Sequence, residues 1–526
     1  MKSFNTTGPC RANLHYQLDP LARLPKVRRM IKEEKFFVVH APRQTGKTTT
    51  LKAYADVLTA EGVYAAVYAS CETASTEQPG AASPEDRILA TIAEMAAEAQ
   101  LPSECLPPEP WPQAPEGTKL RRGLREWARR SPRPVVLFLD EIDALSGDHL
   151  VSVLRQLRDG HNSRPAAFPQ SVAVCGMRDV RDYKAASGGN PERLVSSSPF
   201  NMKVGMRVPD FTFDQVAELY RQHTSATGQE FALAAVQRAF EASQGQPWLV
   251  NALAYDIISE RGITGPVTDE LMDEAVERLI RQRETHLDSL AARLHETRVQ
   301  RVIEPMLAGL TVPSENIAVY SDDVRYVQDL GLVAPGKPLQ ISNPIYQEVI
   351  TRVLAAKVED QVVLEPRSFV AADGRLDMAR LVAEFAAFWR KDGEILTVGQ
   401  GYTEAAAQLV FMGFLHRVVN GGGIIDREYA LGRGRIDLCV RWPYRDGEGK
   451  RVWQWEAVEL KVHRPDRPDP VVEGLAQLDR YLDHLDLRTG LLIVFDVRRD
   501  APPAAERTTV TTATTPSGRS VTVLQA

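Results

Sequence analysis

The chain reads as an α/β protein: a parallel-sheet domain carrying an α-helical lid and a winged helix, followed by a smaller α/β domain. Three observations predict this. Short apolar runs alternate with helical stretches to about residue 208, the period is largely helical from about 212 to 356, and strands return after a shift in composition near 358. At roughly 100 to 200 residues per domain, 526 residues call for about three or four domains. The expected boundaries are 1–208 for the sheet core, 209–298 for the lid, 299–357 for the winged-helix-like part, 358–394 for a linker helix region and 395–526 for the second α/β domain.

Each element has a local reason. FFVVH at 36–40 is an apolar strand, a turn follows, a helix begins near Lys47, and VYAAVYAS at 63–70 is the next strand, so the order is β-α-β. Residues 76–118 are rich in Pro, Glu and Ala around one apolar helix near 86–99. VVLFL at 135–139 and SVAVCG at 171–176 are uninterrupted apolar strands of the kind a sheet covered on both faces requires. GLVAP and PLQIS, joined by a Gly-Lys turn within 299–350, suggest the wing of a winged helix. Helical runs are expected over 378–389 and 403–419, and the V-x-V alternation around Pro-Ser-Gly near the C-terminus predicts a β-hairpin.

Composition narrows the partners. Hydrophobic residues are 44% and charged residues 25%, enough for buried cores and too apolar for general disorder. Lys and Arg number 63 against 69 Asp and Glu, so no global basic field recruits polyanions and nucleic acid must be held by local patches. The five cysteines are far apart with no C-x-x-C spacing, which fits reduced thiols. The N-terminal residues lack an apolar signal core and no run approaches the roughly 18 apolar residues of a membrane span, so a cytoplasmic chain without a membrane partner is expected.

Directly after FFVVH comes Ala41-Pro42-Arg43-Gln44-Thr45-Gly46-Lys47-Thr48, a P-loop with Ala in place of the first Gly. Strand, loop and helix start aim successive N–H groups at a β-phosphate, Lys47 reaches the β- and γ-phosphates, and the Thr48 hydroxyl is a Mg²⁺ ligand. The strand 135–139 ends in Asp140-Glu141, as a Walker B motif does: Asp140 holds Mg²⁺ and Glu141 polarises the attacking water. Strand 172–175 leads to Arg178 at the nucleotide edge of the sheet, where it either senses the γ-phosphate or pairs with Asp179 or Asp182.

APRQTGKTT, VVLFLDEID, GMRDVRD, GQPWLVNALA and ISNPIYQEVI together resemble the AAA-like P-loop NTPases of the STAND group, over roughly residues 1–355. The resemblance implies ATP with Mg²⁺ as cofactors, a nucleotide-sensing lid turn at Gly245-Gln246-Pro247, and a winged helix that moves with nucleotide state. Such proteins are switches. Ala41 is the departure from the pattern, and no helicase motif set is present.

A second constellation lies near the C-terminus. Gly432-Arg433-Gly434-Arg435-Ile436-Asp437 opens one strand, a charged turn follows, and the return strand ends in Glu459-Leu460-Lys461. Alternation puts Glu459 and Lys461 on one face, with Asp437 meeting them from the partner strand. Two carboxylates and the Leu460 carbonyl would hold one or two Mg²⁺ ions, and Lys461 would orient water against a phosphodiester.

This pattern resembles the PD-(D/E)xK nuclease superfamily of restriction-endonuclease-like fold over about 395–526, Asp437 matching the lone Asp and Glu459-x-Lys461 the E-x-K. Gln477-x-x-x-Tyr481 resembles the helix that supports nucleic acid in RecB-type nucleases, and Glu404 matches an additional acidic metal ligand. The resemblance implies a Mg²⁺-dependent nuclease, with Mn²⁺ as substitute, acting on DNA. The whole chain then reads as an ATP-binding and hydrolysing switch that controls a nuclease in defence or genome maintenance. The alternative is a switch whose C-terminal domain binds DNA or a protein without cutting; a homo-oligomer or regulatory partner stays open. Two patches have two readings each: the basic run 121–133 with Trp127 is a phosphate track or a solvated helix, and Trp442, Trp453 and Trp455 stack bases or pack the sheet.

Overall fold

The computed structural model describes residues 2–75, 82–145, 147–177, 205–282, 287, 290, 292–307, 317–336, 339–359, 369–397, 406–419, 423–431, 434–464, 468–498 and 500–526. Two compact units are present, Met1–Leu279 with Val324–Gly336, and Ile280–Asp323 with Lys337–Ala526.

In the first unit, β1 (Phe37–His40), β2 (Ala65–Ser70), β3 (Val135–Asp140), β4 (Ser171–Gly176) and β5 (Gly205–Arg207) form a sheet in the order β2-β3-β4-β1-β5, every pair parallel. This is the P-loop NTPase-like α/β arrangement. All residues of β3 and β4 are buried, because helices cover both faces. Helices Pro84–Glu98, Lys119–Arg130 and Gly147–Gly160 supply the core on one face, and Val27–Lys32 with Lys47–Ala60 supply the other. The basic helix Lys119–Arg130 is a solvated one: Trp127 is fully buried with its Nε1 donating to Cys105 O at 2.8 Å, while Arg121 and Arg130 pair with Asp159 and Glu126. Helices Phe213–Thr227, Leu233–Ser243 and Pro247–Tyr255 follow, the first opened by a reciprocal Thr212–Gln215 capping box.

The wing expected from GLVAP and PLQIS does not form as a strand pair among the described residues. Helices Thr297–Leu307, Ile317–Asp329 and Pro344–Glu359 are present, but Val333 and Ile341 are only single bridge residues. Gly331 turns the chain at a φ of +83°, and Leu332 and Val333 after it are buried.

In the second unit, β6 (Ile424–Leu431), β7 (Gly434–Arg445), β8 (Arg451–His463), β9 (Leu491–Asp496), β10 (Thr509–Thr514) and β11 (Ser520–Gln525) form a mixed sheet ordered β10-β11-β9-β8-β7-β6. β6–β7, β7–β8 and β10–β11 are antiparallel; β8–β9 and β9–β11 are parallel. The parallel β8–β9 step is bridged by helix Val471–His484. Alternation sends Leu438, Val440, Val458, Leu460, Ile493 and Phe495 toward helices Met378–Thr397 and Ala406–Val419, and Cys439, Ala457, Leu492 and Val494 toward helix Val471–His484. The C-terminal hairpin is fastened to that helix by Asp479, which accepts from Thr515 Oγ1 at 2.6 Å, Ser517 N and Arg519 Nη1.

Candidate functional sites

The first site sits where β1, β3 and β4 end side by side, the sheet edge at which nucleotides bind in parallel α/β folds. Ala41 continues β1 into the loop, fully buried and without a positive φ, so an alanine costs nothing there. The left-handed positions fall later, at Gln44 (φ +59°) and at Gly46 (φ +86°), which caps helix Lys47–Ala60 and takes that conformation without strain. Arg43 and Gln44 are exposed, whereas Thr45 is buried and its hydroxyl donates to Pro42 O at 2.9 Å. The Lys47 ammonium, also buried, donates to Ala41 O and Pro42 O at 2.8 Å each.

Asp140 is fully buried and connects the loop to the neighbouring strands. Its Oδ2 accepts from Thr48 Oγ1 at 2.6 Å and from Tyr68 OH at 2.9 Å, and its Oδ1 accepts from Glu141 N at 2.9 Å. Glu141 is in the left-handed region at φ +52°, a conformation a glutamate holds only where its surroundings dictate it. Burial, with Asp140 beside it, raises the Glu141 carboxyl above the ordinary range, and Lys47 partly offsets this. Burial and the neighbouring Asp140 likewise push the Tyr68 phenol and the Cys175 thiol up, so both stay protonated. The adjoining Asp143 accepts from the backbone N–H of Met177 at the end of β4. Arg178 lies outside the described residues.

Two contributors were not visible in the sequence. Arg23, which precedes helix Val27–Lys32, donates to Thr45 O at 2.6 Å and to Pro209 O, and its guanidinium stacks on Phe211, 4.7 Å from the ring centroid. Burial lowers its pKa to about 10, and Asp210 works against the fall. Phe211 N in turn donates to Gly245 O at 2.7 Å, and a Cβ on Gly245 (φ +75°) would stand 1.9 Å from Phe211 O, so this lid turn requires glycine. Gln246 caps helix Pro247–Tyr255 by accepting from Leu249 N at 2.6 Å, and Pro247 starts it. Tyr68 is the second contributor; only the pairing of β2 with β3 brings its hydroxyl to Asp140.

The second site lies on β7 and β8. Leu438 pairs with Val458, which sets Asp437 and Glu459 opposite one another at the next register position, with Lys461 on the same face. Asp437 Oδ2 accepts from Leu460 N at 2.8 Å, and Lys461 Nζ donates to Glu459 Oε1 at 2.7 Å. Glu459 is 1% exposed and its Oε2 is buried with no hydrogen-bond partner. Burial first, then the Asp437 charge, raise its carboxyl pKa, against a smaller opposite pull from Lys461. An unpartnered buried carboxylate oxygen beside a second carboxylate is what an oxygen-seeking divalent cation would satisfy. Among the described residues no three His, Cys, Asp or Glu side chains cluster.

Helix Val471–His484 roofs this site: a Cβ on Gly474 would stand 3.3 Å from Lys461 Cγ. Gln477 Oε1 is buried without a partner, and Tyr481 is buried among Cys439, Ala457 and Leu478. Glu404 lies outside the described residues. No helix of the described residues is long and apolar enough to cross a membrane.

Residues 28–183 match the AAA domain family. No curated protein matches the chain. Among solved structures, the Walker-type ATPase of Pyrococcus abyssi aligns at 13% identity over 66% of this chain and 99% of its own, with a TM-score of 0.47. Cdc6p from Pyrobaculum aerophilum aligns at 14% identity over 64% of this chain and 93% of its own, with a TM-score of 0.34. The RuvB Holliday junction branch migration motor of Thermotoga maritima aligns at 15% identity over 62% and 92%, with a TM-score of 0.32. The chain thus carries an ATPase domain of the AAA P-loop kind.

Proposed function

We propose that this ATPase domain switches a metal-dependent nuclease built on the second sheet, with DNA as substrate. The observation that carries the nuclease reading is Glu459: a buried carboxylate with one oxygen unsatisfied, set opposite Asp437 and bonded to Lys461. The flanking helix, three antiparallel strands, roofing helix and parallel fourth strand agree with the restriction-endonuclease-like order. Asp437 and Glu459 would hold a divalent cation, which supplies charge neutralisation and a more acidic bound water. Lys461 would stabilise the developing phosphate charge, and Gln477 and Tyr481 would support the strand.

At the first site Thr48 and Asp140 would hold Mg²⁺, whose chemistry there is to neutralise the phosphates. Lys47, released from the two loop carbonyls, would bind the β- and γ-phosphates, and Glu141 would take the proton of the attacking water. The switching would run through the first unit. The inserted stretch Val324–Gly336 is flanked on both sides by chain belonging to the second unit, and it rests on the nucleotide loop. A Cβ on Gly331 would meet Pro42 Cβ and Cγ at 2.7 Å, and Asp329 Oδ1 is 3.6 Å from His40 Nδ1. A phosphate that rearranges the loop would therefore move a segment tied at both ends to the nuclease unit. An Arg178 contact with the γ-phosphate, the STAND assignment and a role for Glu404 as a third ligand belong to this same proposal.

The test incubates the chain with supercoiled plasmid, linear duplex, single-stranded DNA and RNA in Mg²⁺ or Mn²⁺, with and without ATP. Cleavage lost in Asp437→Ala establishes the nuclease, and the Lys47→Ala lane shows whether ATP licenses it. Equal inertness of wild type and Asp437→Ala on every substrate, while ATP is hydrolysed, refutes it in favour of binding without cleavage.

A further inference from the structure

The face of β7–β8 that carries Asp437, Glu459 and Lys461 does not end at the acidic centre. The register runs without a bulge through Arg441–Trp455, Pro443–Trp453 and Arg445–Arg451, so all six residues share that face. At about 3.3 Å per residue, Arg441 lies roughly 13 Å along the strand from Asp437 and Arg445 roughly 26 Å. Trp455 packs at the edge of the core beneath helix Val471–His484, and Trp453 beyond it is 38% exposed. The Arg441 guanidinium is 5.5 Å from the Trp455 ring and 5.9 Å from the Trp453 ring, and Arg451 is 5.2 Å from Trp453.

The opposite face of the same hairpin is covered. Trp442 is buried there with Nε1 donating to Gly374 O at 3.0 Å, Gln454 bonds both backbone groups of Leu376, and Arg375 lies over Tyr444. Trp442 is thus a packing residue, whereas Trp453 presents ring surface to solvent in a row with three arginines. The acidic Asp446 at the tip is turned to its own loop, accepting from Glu448 N and Lys450 N.

We propose that this outer half of the β7–β8 hairpin is a stacking platform for single-stranded nucleic acid, leading the strand into the acidic centre. Alternating aromatic faces and guanidinium groups match alternating bases and phosphates: Trp453 and the edge of Trp455 take bases, and Arg441, Arg445 and Arg451 take the backbone. A Watson–Crick duplex hides its base faces and has no use for an exposed tryptophan, so single strands are preferred. The platform deepens the nuclease reading and rests on it for the direction of the strand, but its binding is measurable alone.

The experiment measures anisotropy of labelled 20-nucleotide DNA, 20-nucleotide RNA and blunt duplex with the whole chain, in chelator so that no metal-dependent cleavage occurs. Single strands bind more tightly than duplex, Trp453→Ala raises Kd about tenfold, and Trp453→Phe restores most of it. Arg451→Ala lowers the slope of log Kd against log salt by about 0.7. Both side chains are exposed, and circular dichroism confirms that the variants fold. Asp437→Ala binds at least as tightly, since it removes a negative charge. Kd values within twofold of wild type for Trp453→Ala and Arg451→Ala, or a preference for duplex, overturn the platform. Trp453-dependent binding by a chain that cuts nothing in Mg²⁺ or Mn²⁺ upholds the platform and removes the nuclease; cutting that ignores both substitutions does the reverse. The DNA and RNA arms identify which strand is taken.

Discussion

If Glu459 is a metal ligand, proton and cation compete for it, and the competition has a calculable pH window. Its carboxyl is raised from 4.5 to about 7, by burial and by Asp437. At pH 6 Glu459 is mostly protonated, so Mn²⁺ affinity stands about tenfold below its plateau. Near pH 8 the group is about nine-tenths ionised and the plateau is reached. Calorimetric titration of Mn²⁺ in buffers of different ionisation enthalpy reads this directly: close to one proton is released per ion at pH 6, and the release falls toward zero at pH 8. The sign for stability is opposite to that of an ordinary salt-bridged carboxylate. Because the folded pKa is raised, the metal-free fold binds the proton more tightly than the unfolded chain. Its stability from this group therefore falls as pH rises between about 4.5 and 7. Glu459→Gln removes both the pH dependence and the metal response. A Mn²⁺ affinity that is flat between pH 6 and 8, or proton release unchanged in Glu459→Gln, would refute the reasoning.

Other outcomes follow from the first site. Lys47→Ala removes a buried ammonium that serves the loop and the phosphates, so ATP binding measured by a fluorescent analogue falls at least tenfold. Glu141→Gln keeps ATP binding and stops turnover; because the Glu141 carboxyl is raised, wild-type hydrolysis declines on acidification at a higher pH than an ordinary glutamate of 4.5 would give, as a pH–rate profile would record. Arg23→Ala leaves Thr45 O and Pro209 O without their charged donor and destabilises the first unit by about 2 to 4 kcal/mol, seen as a lowered Tm of its transition; an unchanged Tm contradicts the bridging role. Gly245→Ala drives a methyl against Phe211 O and costs more than about 1 kcal/mol, whereas Gly228→Ala, with open space around it at a similar φ, carries only the backbone penalty; equal losses in thermal unfolding would contradict the steric account.

Local signals carried most of the architecture. The runs FFVVH, VVLFL and SVAVCG are apolar because a doubly covered sheet leaves them no polar face, and they became β1, β3 and β4. The C-terminal V-x-V alternation around Pro-Ser-Gly was enough to mark the hairpin β10–β11. GLVAP and PLQIS have strand-like composition, and among the described residues they contribute only the bridge residues Val333 and Ile341. The D…ExK spacing was legible as well, since residues two apart on a strand share a face and a hairpin partner must lie opposite.

By itself, the sequence determined what depends on neighbours along the chain: strand and helix order, the P-loop and Walker B residues, and the three charges on one hairpin face. Only the tertiary structure decided what depends on residues far apart. Arg23 reaches Thr45 and Pro209 across 22 and 186 positions, Tyr68 reaches Asp140 across 72, and neither has a local pattern that announces it. The same holds for the tryptophans of the hairpin. Their composition was ambiguous between packing and stacking, and the choice fell to the register, which buries Trp442 against Gly374 and leaves Trp453 in the open beside Arg451. A period-two strand fixes which residues share a face; which face is covered depends on the segments that fold onto it.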